Sequence, residues 1–222
     1  MDILTGSIAG DVVAFLRKAN GTYSLGETLR FKSGRAINVG RGSTVVAADW
    51  RGKGVFDLII GNGDGAVFLV PNEGTRQKAA FAEPERLKAG GQTISADGGS
   101  AGPCIADWDG DGVPDLILGC GSGKVIWCHN VGAKTNPKLA APVTLIESAS
   151  RNGSLSLAAS EKPTRSGSYA KVCVADWNGD GRADLIVGDF CYTQPNRLHG
   201  WVWVYPRSAE VVAGAQASQK TN

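Results

Sequence analysis

An all-β fold assembled from short antiparallel sheets is what this sequence predicts, and three observations predict it. The chain of 222 residues carries 31 glycines against 9 prolines without a collagen-like period, so it has to turn often and its strands have to be short. No long amphipathic helix is apparent. The third observation is an internal repeat: Asp-Leu-Ile/Leu-x-Gly stands at 57–61, 115–119 and 184–188, and a close relative, Asp2-Ile3-Leu4-Thr5-Gly6, opens the sequence. The four leading aspartates are 55, 58 and 69 residues apart.

Each copy reads as the same series of elements. Strand A is a β-like run ending in Ala-Asp-Trp, at 44–50, 103–108 and 171–177. An acidic, glycine-containing loop leads to strand B, the Leu-Ile run, which is apolar throughout and therefore covered on both faces. Strand C is a glycine-led run at 10–16, 65–70, 123–128 and 200–205, followed in the first three copies by turns at Asn20, Asn72 and Asn130. A looser, more polar strand D comes next. One such sheet cannot bury both faces by itself, so the copies stack, and radial stacking of four-stranded sheets gives a β-propeller or part of one. The expected units are a partial blade at 1–43, blades at 44–102 and 103–168, a partial blade at 169–207 and a tail at 208–222.

The A–B loops carry the chemistry. Asp107-Trp108-Asp109-Gly110-Asp111-Gly112-Val113-Pro114-Asp115 puts carboxylates at loop positions 1, 3, 5 and 9 and glycines at 4 and 6, where the backbone turns sharply. Side chains at 1, 3 and 5, a carbonyl at 7 and a closing carboxylate at 9 suit a hard divalent ion with oxygen ligands, calcium above all. The expected ligands are Asp107, Asp109, Asp111, the Val113 carbonyl and Asp115. In the next copy they are Asp176, Asn178 through its amide oxygen, Asp180, the Arg182 carbonyl and Asp184. The loop from Asp49 to Asp57 keeps its outer carboxylates and glycines but has Arg51 and Lys53 at positions 3 and 5. It is expected to fold without metal, with one of the two basic side chains where the ion would sit, pairing with Asp49 and Asp57. Two calcium ions per chain follow. Trp50, Trp108 and Trp177 recur at loop position 2, including the copy without ligands, which assigns them to packing between blades.

These motifs, Ala-Asp-Trp-Asn/Asp-Gly-Asp-Gly-x-x-Asp-Leu-Ile-x-Gly and then Gly-x-Val-x-x-x-x-Asn-x-Gly, resemble the FG-GAP/VCBS repeat of bacterial surface proteins and of the integrin α-subunit propeller, over nearly the whole chain up to about Arg207. The resemblance implies a calcium-stabilised, non-enzymatic binding or scaffold module for adhesion or recognition. A carbohydrate-binding propeller and an accessory propeller domain of a secreted hydrolase are the alternatives, because one fold hosts many functions. Extracellular modules bind calcium at roughly 0.1 to 1 mM, so the sites would be filled outside the cell and nearly empty in cytosol. The expected location is accordingly extracellular, on the cell surface or periplasmic, although the chain as given carries no export signal. Aligned on the repeat, Met1 and Asp2 fall at loop positions 8 and 9. That register is compatible with a fragment of a longer propeller, a four-bladed ring repaired by the tail, or a homodimer sharing an eight-bladed ring.

A ligand is expected on the face opposite the A–B loops, where the two longest irregular segments lie: the D–A connection 147–168 and a B–C connection from Asp189 to His199. Asp189, Phe190, Tyr192, Gln194, Asn196, Arg197 and His199 are the candidate contacts for a protein or glycan, beside Trp201, Trp203 and Tyr205 along strand C. Other classes are excluded by what is present. With 23 basic and 21 acidic residues interspersed, no basic block marks a nucleic-acid or membrane surface. No apolar run reaches the roughly 18 to 20 residues of a spanning helix. The two histidines, His129 and His199, lack partners at catalytic or zinc-site spacing, Asp189 with His199 being the sole acid/base pairing that can be constructed. No catalytic residue is expected. The five cysteines are expected to be buried free thiols.

Overall fold

The computed structural model describes residues 2–148, 156–157, 167–193 and 197–207. Among them every regular element is a strand. The first sheet pairs β1 (Ile3–Gly6), β2 (Val12–Phe15) and β3 (Glu27–Thr28). The second is β4 (Thr44–Ala48), β5 (Asp57–Gly61), β6 (Val67–Val70) and β7 (Glu85–Arg86), antiparallel in chain order. A small hairpin follows, β8 (Lys88–Ala89) with β9 (Gln92–Thr93). The third sheet is β10 (Gly102–Ala106), β11 (Asp115–Gly119), β12 (Val125–Cys128) and β13 (Val143–Ile146). The fourth joins β14 (Ser156–Leu157), β15 (Ser168–Ala175), β16 (Asp184–Thr193) and β17 (Arg197–Tyr205).

The strands expected as A, B and C are thus formed in order, and the register explains their composition. In β5 and β11 all five residues are buried. Successive side chains point to opposite faces, and here both faces meet a neighbouring sheet. Leu58 and Ile60 join Val12, Ile37 and Val70 between the first and second sheets. Ile59, between them in sequence, joins Leu69, Leu116, Leu118 and Cys128 between the second and third. Ile117 in turn packs with Val125, Leu185 and Val187 between the third and fourth.

The glycine that closes each Asp-Leu-Ile-x-Gly motif is what lets the sheets approach. A Cβ on Gly6 would overlap the carbonyl of Ser43, one on Gly61 that of Ala101, and one on Gly119 that of Ala170. Each is the segment entering strand A of the following copy. Alongside, Ala101 N–H donates to Asn62 O and Ala170 N–H to Cys120 O, both at 3.0 Å. Sheet stacking is therefore fixed by backbone contact as well as by apolar area.

Two expectations need correction. The B–C connection from Asp189 to His199 is not an irregular loop: β16 runs on to Thr193 and β17 begins at Arg197, with Asp189 opposite Trp201 and Cys191 opposite His199. The ladder runs on through Phe190 to Thr193 opposite Arg197 to Gly200, and aromatic Phe190 and Tyr192 with β-branched Thr193 suit a strand. The hairpin β8–β9 was not expected at all. Its turn, Gly90-Gly91 with φ of 58° and 81°, is the left-handed pair that a two-residue hairpin needs. Gly90 N–H then donates to Leu139 O, tying the hairpin to the segment between β12 and β13. The remaining segments 149–155, 158–166 and 194–196 and the tail 208–222 lie outside the described residues.

Candidate metal centre

Three A–B loops share one backbone design. Glycines at positions 4 and 6 have φ between 60° and 86° in all of them: Gly52 and Gly54, Gly110 and Gly112, Gly179 and Gly181. That conformation costs any residue with a Cβ. It turns backbone N–H groups inward, where the position-1 carboxylate accepts them. Asp49 takes Lys53 N–H at 2.8 Å and Gly54 N–H at 3.0 Å. Asp107 takes those of Gly110 at 2.8 Å and Gly112 at 2.9 Å, and Asp176 those of Gly179 at 2.8 Å and Gly181 at 2.9 Å. Positions 3 and 5 accept the amide two residues on: Asp109 from Asp111, Asp111 from Val113, Asn178 from Asp180 and Asp180 from Arg182.

The position-9 aspartate is buried in every complete copy, with Asp57 at 1%, Asp115 at 0% and Asp184 at 0% exposure. It closes the sheet as much as the loop. Asp57 accepts Asn72 N–H, Asp115 accepts Asn130 N–H and Asp184 accepts Arg207 N–H, at 2.8, 2.6 and 2.8 Å. Asp2 does the same for Arg17 at 2.8 Å, which places the first copy in the same register. The surroundings divide these acids. Burial raises the Asp115 carboxyl above its ordinary range, while the Arg207 amide holds that of Asp184 below it.

The structure brings Asp109 and Asp111 together with a residue that the spacing of motifs did not assign, His129. Their ligand atoms lie within 4.8 Å of one another. His129 Nε2, a buried atom of a half-buried side chain, is 2.9 Å from Asp109 Oδ2 and 3.8 Å from Asp111 Oδ2, at ion-pair distance but without hydrogen-bond geometry. The ring stacks on Trp127 at 5.1 Å. Strand arithmetic held the signal: β11 pairs with β12 through Leu116 opposite Cys128, so the next pair outward sets Asp115 beside His129.

The other loops meet a basic side chain differently. Arg51 Nη2 lies 2.8 Å from Asp57 Oδ1, with Asp57 buried and the Arg51 side chain 19% exposed. The expected internal cation is thus Arg51, its partner is Asp57 alone, and Asp49 is satisfied by backbone amides, two of them from Lys53 and Gly54. In the last loop the Arg182 side chain, expected to contribute only its carbonyl, places Nη2 2.6 Å from Asp180 Oδ2. Of the oxygen donors expected at 107–115, Asp109 and Asp111 converge beside His129 and fit part of a divalent-cation site, while Asp107 and Asp115 accept backbone amides. At 176–184 the Arg182 guanidinium takes Asp180 Oδ2, so in this arrangement that loop does not present its donors together to a cation.

On the opposite face, Asp189 and His199 do not pair. Asp189 accepts Trp203 Nε1–H at 2.7 Å, Trp201 N–H at 3.2 Å and the N–H of Gly167. His199 stacks on Trp201 at 5.6 Å. Trp203 and Tyr205 pack against the third sheet. Phe190, Tyr192 and Arg197 lie on the paired strands β16 and β17, whereas Gln194 and Asn196 fall outside the described residues.

No family model and no curated protein matches the sequence. Among solved structures, one similar chain comes from work titled as the structural basis of specific recognition of non-reducing terminal N-acetylglucosamine by a lectin of Agrocybe aegerita, at 16% identity and a TM-score of 0.45. The match covers 92% of this chain and 54% of that one, so the chain spans about half its length.

Proposed function

We propose that the chain is a run of propeller blades of the FG-GAP/VCBS type, acting outside the cell as a non-enzymatic recognition scaffold whose A–B loops are stabilised by calcium. The observation that supports it most is the loop backbone shared by three copies, with left-handed glycines at positions 4 and 6, and the carboxylates of Asp109 and Asp111 brought together in one of them. Oxygen donors from Asp107, Asp109, Asp111, Val113 and Asp115 would hold one ion, and those of Asp176, Asn178, Asp180, Arg182 and Asp184 a second. When bound, the ion neutralises the loop carboxylates and ties strand A to strand B. It supplies no reaction. Extracellular modules of this kind bind at roughly 0.1 to 1 mM. At 2 mM calcium, mass action then adds about 0.6 to 1.8 kcal/mol per site, which raises Tm by roughly 2 °C or more in a chain of this size. Thermal unfolding with calcium and with a chelator tests this. Asp109→Ala should remove most of the shift, Asp180→Ala less, because calcium at that loop competes with Arg182. A melting curve indifferent to calcium, or three ions per chain by calorimetry, overturns the assignment.

A carbohydrate ligand is the second reading, favoured by the His199–Trp201 stack on a hairpin longer than its counterparts. Aromatic faces next to polar groups suit sugar rings, which present apolar C–H patches among hydroxyls. A glycan array decides it: binding lost in Trp201→Ala but retained in Asp109→Ala is the expected result. An array without hits, beside capture of a protein ligand, leaves the protein-recognition reading. An associated hydrolase domain is distinguished by the gene's neighbouring sequence.

A further inference from the structure

The three sheet-to-sheet interfaces within the chain share a polarity. Each sheet turns one set of alternate residues toward the copy before it and the other toward the copy after it. In the second sheet the row facing forward is Val46, Ile59 and Leu69 across β4, β5 and β6, buried against the third sheet. In the third sheet it is Cys104, Ile117 and Trp127, packed against the fourth. The equivalent row in the fourth sheet is Cys173, Ile186 and Val204, in register across β15, β16 and β17.

Among the described residues nothing covers that last row. Cys173 is exposed, Ile186 and Val204 are half-buried, and Val202 on the same face is 72% exposed. Trp177 completes the pattern. Trp50 is 2% exposed in the layer between the second and third sheets, and Trp108 lies under the Arg207 guanidinium of the following copy at 5.0 Å, whereas Trp177 is 63% exposed. Gly188 points the same way. Its three counterparts are glycines because the next copy's backbone occupies the space of a Cβ, but a Cβ on Gly188 would meet nothing nearer than Lys171 O at 3.9 Å.

The opposite end carries the complementary face. Facing backward in the first sheet are Ile3, 41% exposed, with Val13 and Phe15 half-buried across β2. These positions correspond to Leu58, Phe68 and Val70 of the second sheet, of which Leu58 and Val70 are buried against the first. Among the described residues the chain therefore presents a forward face and a backward face of an interface it already makes three times.

We propose that the forward face of the fourth sheet docks on the backward face of the first sheet of a second copy, and reciprocally, so that two chains close head to tail. A heterologous contact either closes or propagates. Four sheets from each of two chains give eight, within the range at which stacked sheets close. This rests on the three in-chain interfaces and not on metal or ligand binding.

Sedimentation velocity on the full chain tests it, with three variants. Gly188 has no left-handed φ, so Gly188→Ala leaves an isolated chain unperturbed but blocks a backbone approach like those at Gly6, Gly61 and Gly119. Val202→Asp charges the forward face and Ile3→Asp the backward face. The expected result is a dimer of the 23.1 kDa chain at micromolar concentration, shifted to monomer at least tenfold more readily by each variant, with the circular dichroism spectrum unchanged. A monomer at all concentrations overturns the proposal. So does an open ladder of oligomers, or a dimer that Val202→Asp dissolves and Ile3→Asp does not, since that one pairs like with like.

Discussion

Arg51 shows how one side chain can replace an ion. In the loop where it stands, positions 3 and 5 carry no carboxylate, yet Asp57 at position 9 is as buried as Asp115 and Asp184. A buried carboxylate without a partner is costly. Arg51 meets it through Nε and Nη2 and also donates to Asn72 O at 3.0 Å, so its guanidinium bridges the A–B loop and the C–D turn. The hydrogen bond to Asp57 raises the Arg51 pKa still further, and no accessible pH discharges it. Arg51→Ala should therefore destabilise the protein by about 3 kcal/mol, within the range for breaking one partner from a buried pair. Chemical denaturation measures it. Lys53→Ala, whose loop contact is through its backbone amide, should change stability by less than about 0.5 kcal/mol. Comparable losses in both would remove the distinction between the two basic residues. Sequence made the substitution of ligands by basic groups legible, since the motif register exposes positions 3 and 5. Which of the two turned inward was not legible, because that depends on where Asn72 O lies across the sheet.

At the level of elements, the Asp-Leu-Ile-x-Gly run was legible because three demands coincide on five residues: a buried acid, a two-sided apolar strand, and a glycine where another backbone passes. Strand C was legible for its leading glycine, and Gly10, Gly65 and Gly123 have φ of 102°, 87° and 85°. The weaker elements were not. Strands β3 and β7 are two residues each and exposed, so no apolar pattern announces them. The extension of β16 and β17 reads as a polar-aromatic loop because its ladder runs beyond the repeat, and pairing between two strands leaves no period in either one alone. The Asn72 and Asn130 turns were seen as turns. Their buried amides do more. Asn130 Nδ2 donates to Pro114 O at 3.0 Å, while its Oδ1 accepts Gly132 N–H at 3.1 Å and Lys138 N–H at 2.9 Å, fastening the A–B loop to the C–D turn from inside. The candidate centre is assembled between these same two elements, which is why His129, one residue before Asn130, reaches Asp109.

For the whole molecule, the cysteines report how the sheets are stacked. Cys120 and Cys128 lie in the layer between the second and third sheets and Cys104 in that between the third and fourth, whereas Cys173, in the row equivalent to that of Cys104, is exposed because no sheet follows it among the described residues. The expectation of buried thiols fails at Cys173 for that reason alone. Burial pushes the thiols of Cys104 and Cys120 up to about 11 and that of Cys128 to about 12, against an ordinary 9.0. Thiolate is the reactive form, so these three should resist modification at pH 8 except through opening of the sheets. Cys173 should react at least about a hundredfold faster than the buried thiols of Cys120 and Cys128 in the dissociated chain, and slow on dimerisation if the forward face closes. Mass spectrometry after timed alkylation resolves the sites. The same shifts set the alkaline limit. A group whose folded pKa is raised favours the folded state fully below the unfolded pKa and loses that contribution as pH climbs through the folded value. Above neutral pH stability should be flat up to about pH 9 and fall between pH 9 and about 12, with Cys120→Ala, which keeps an apolar residue in the layer, flattening part of the decline. Equal alkylation rates at Cys120 and Cys173 in the native protein would mean that the second and third sheets do not stay closed.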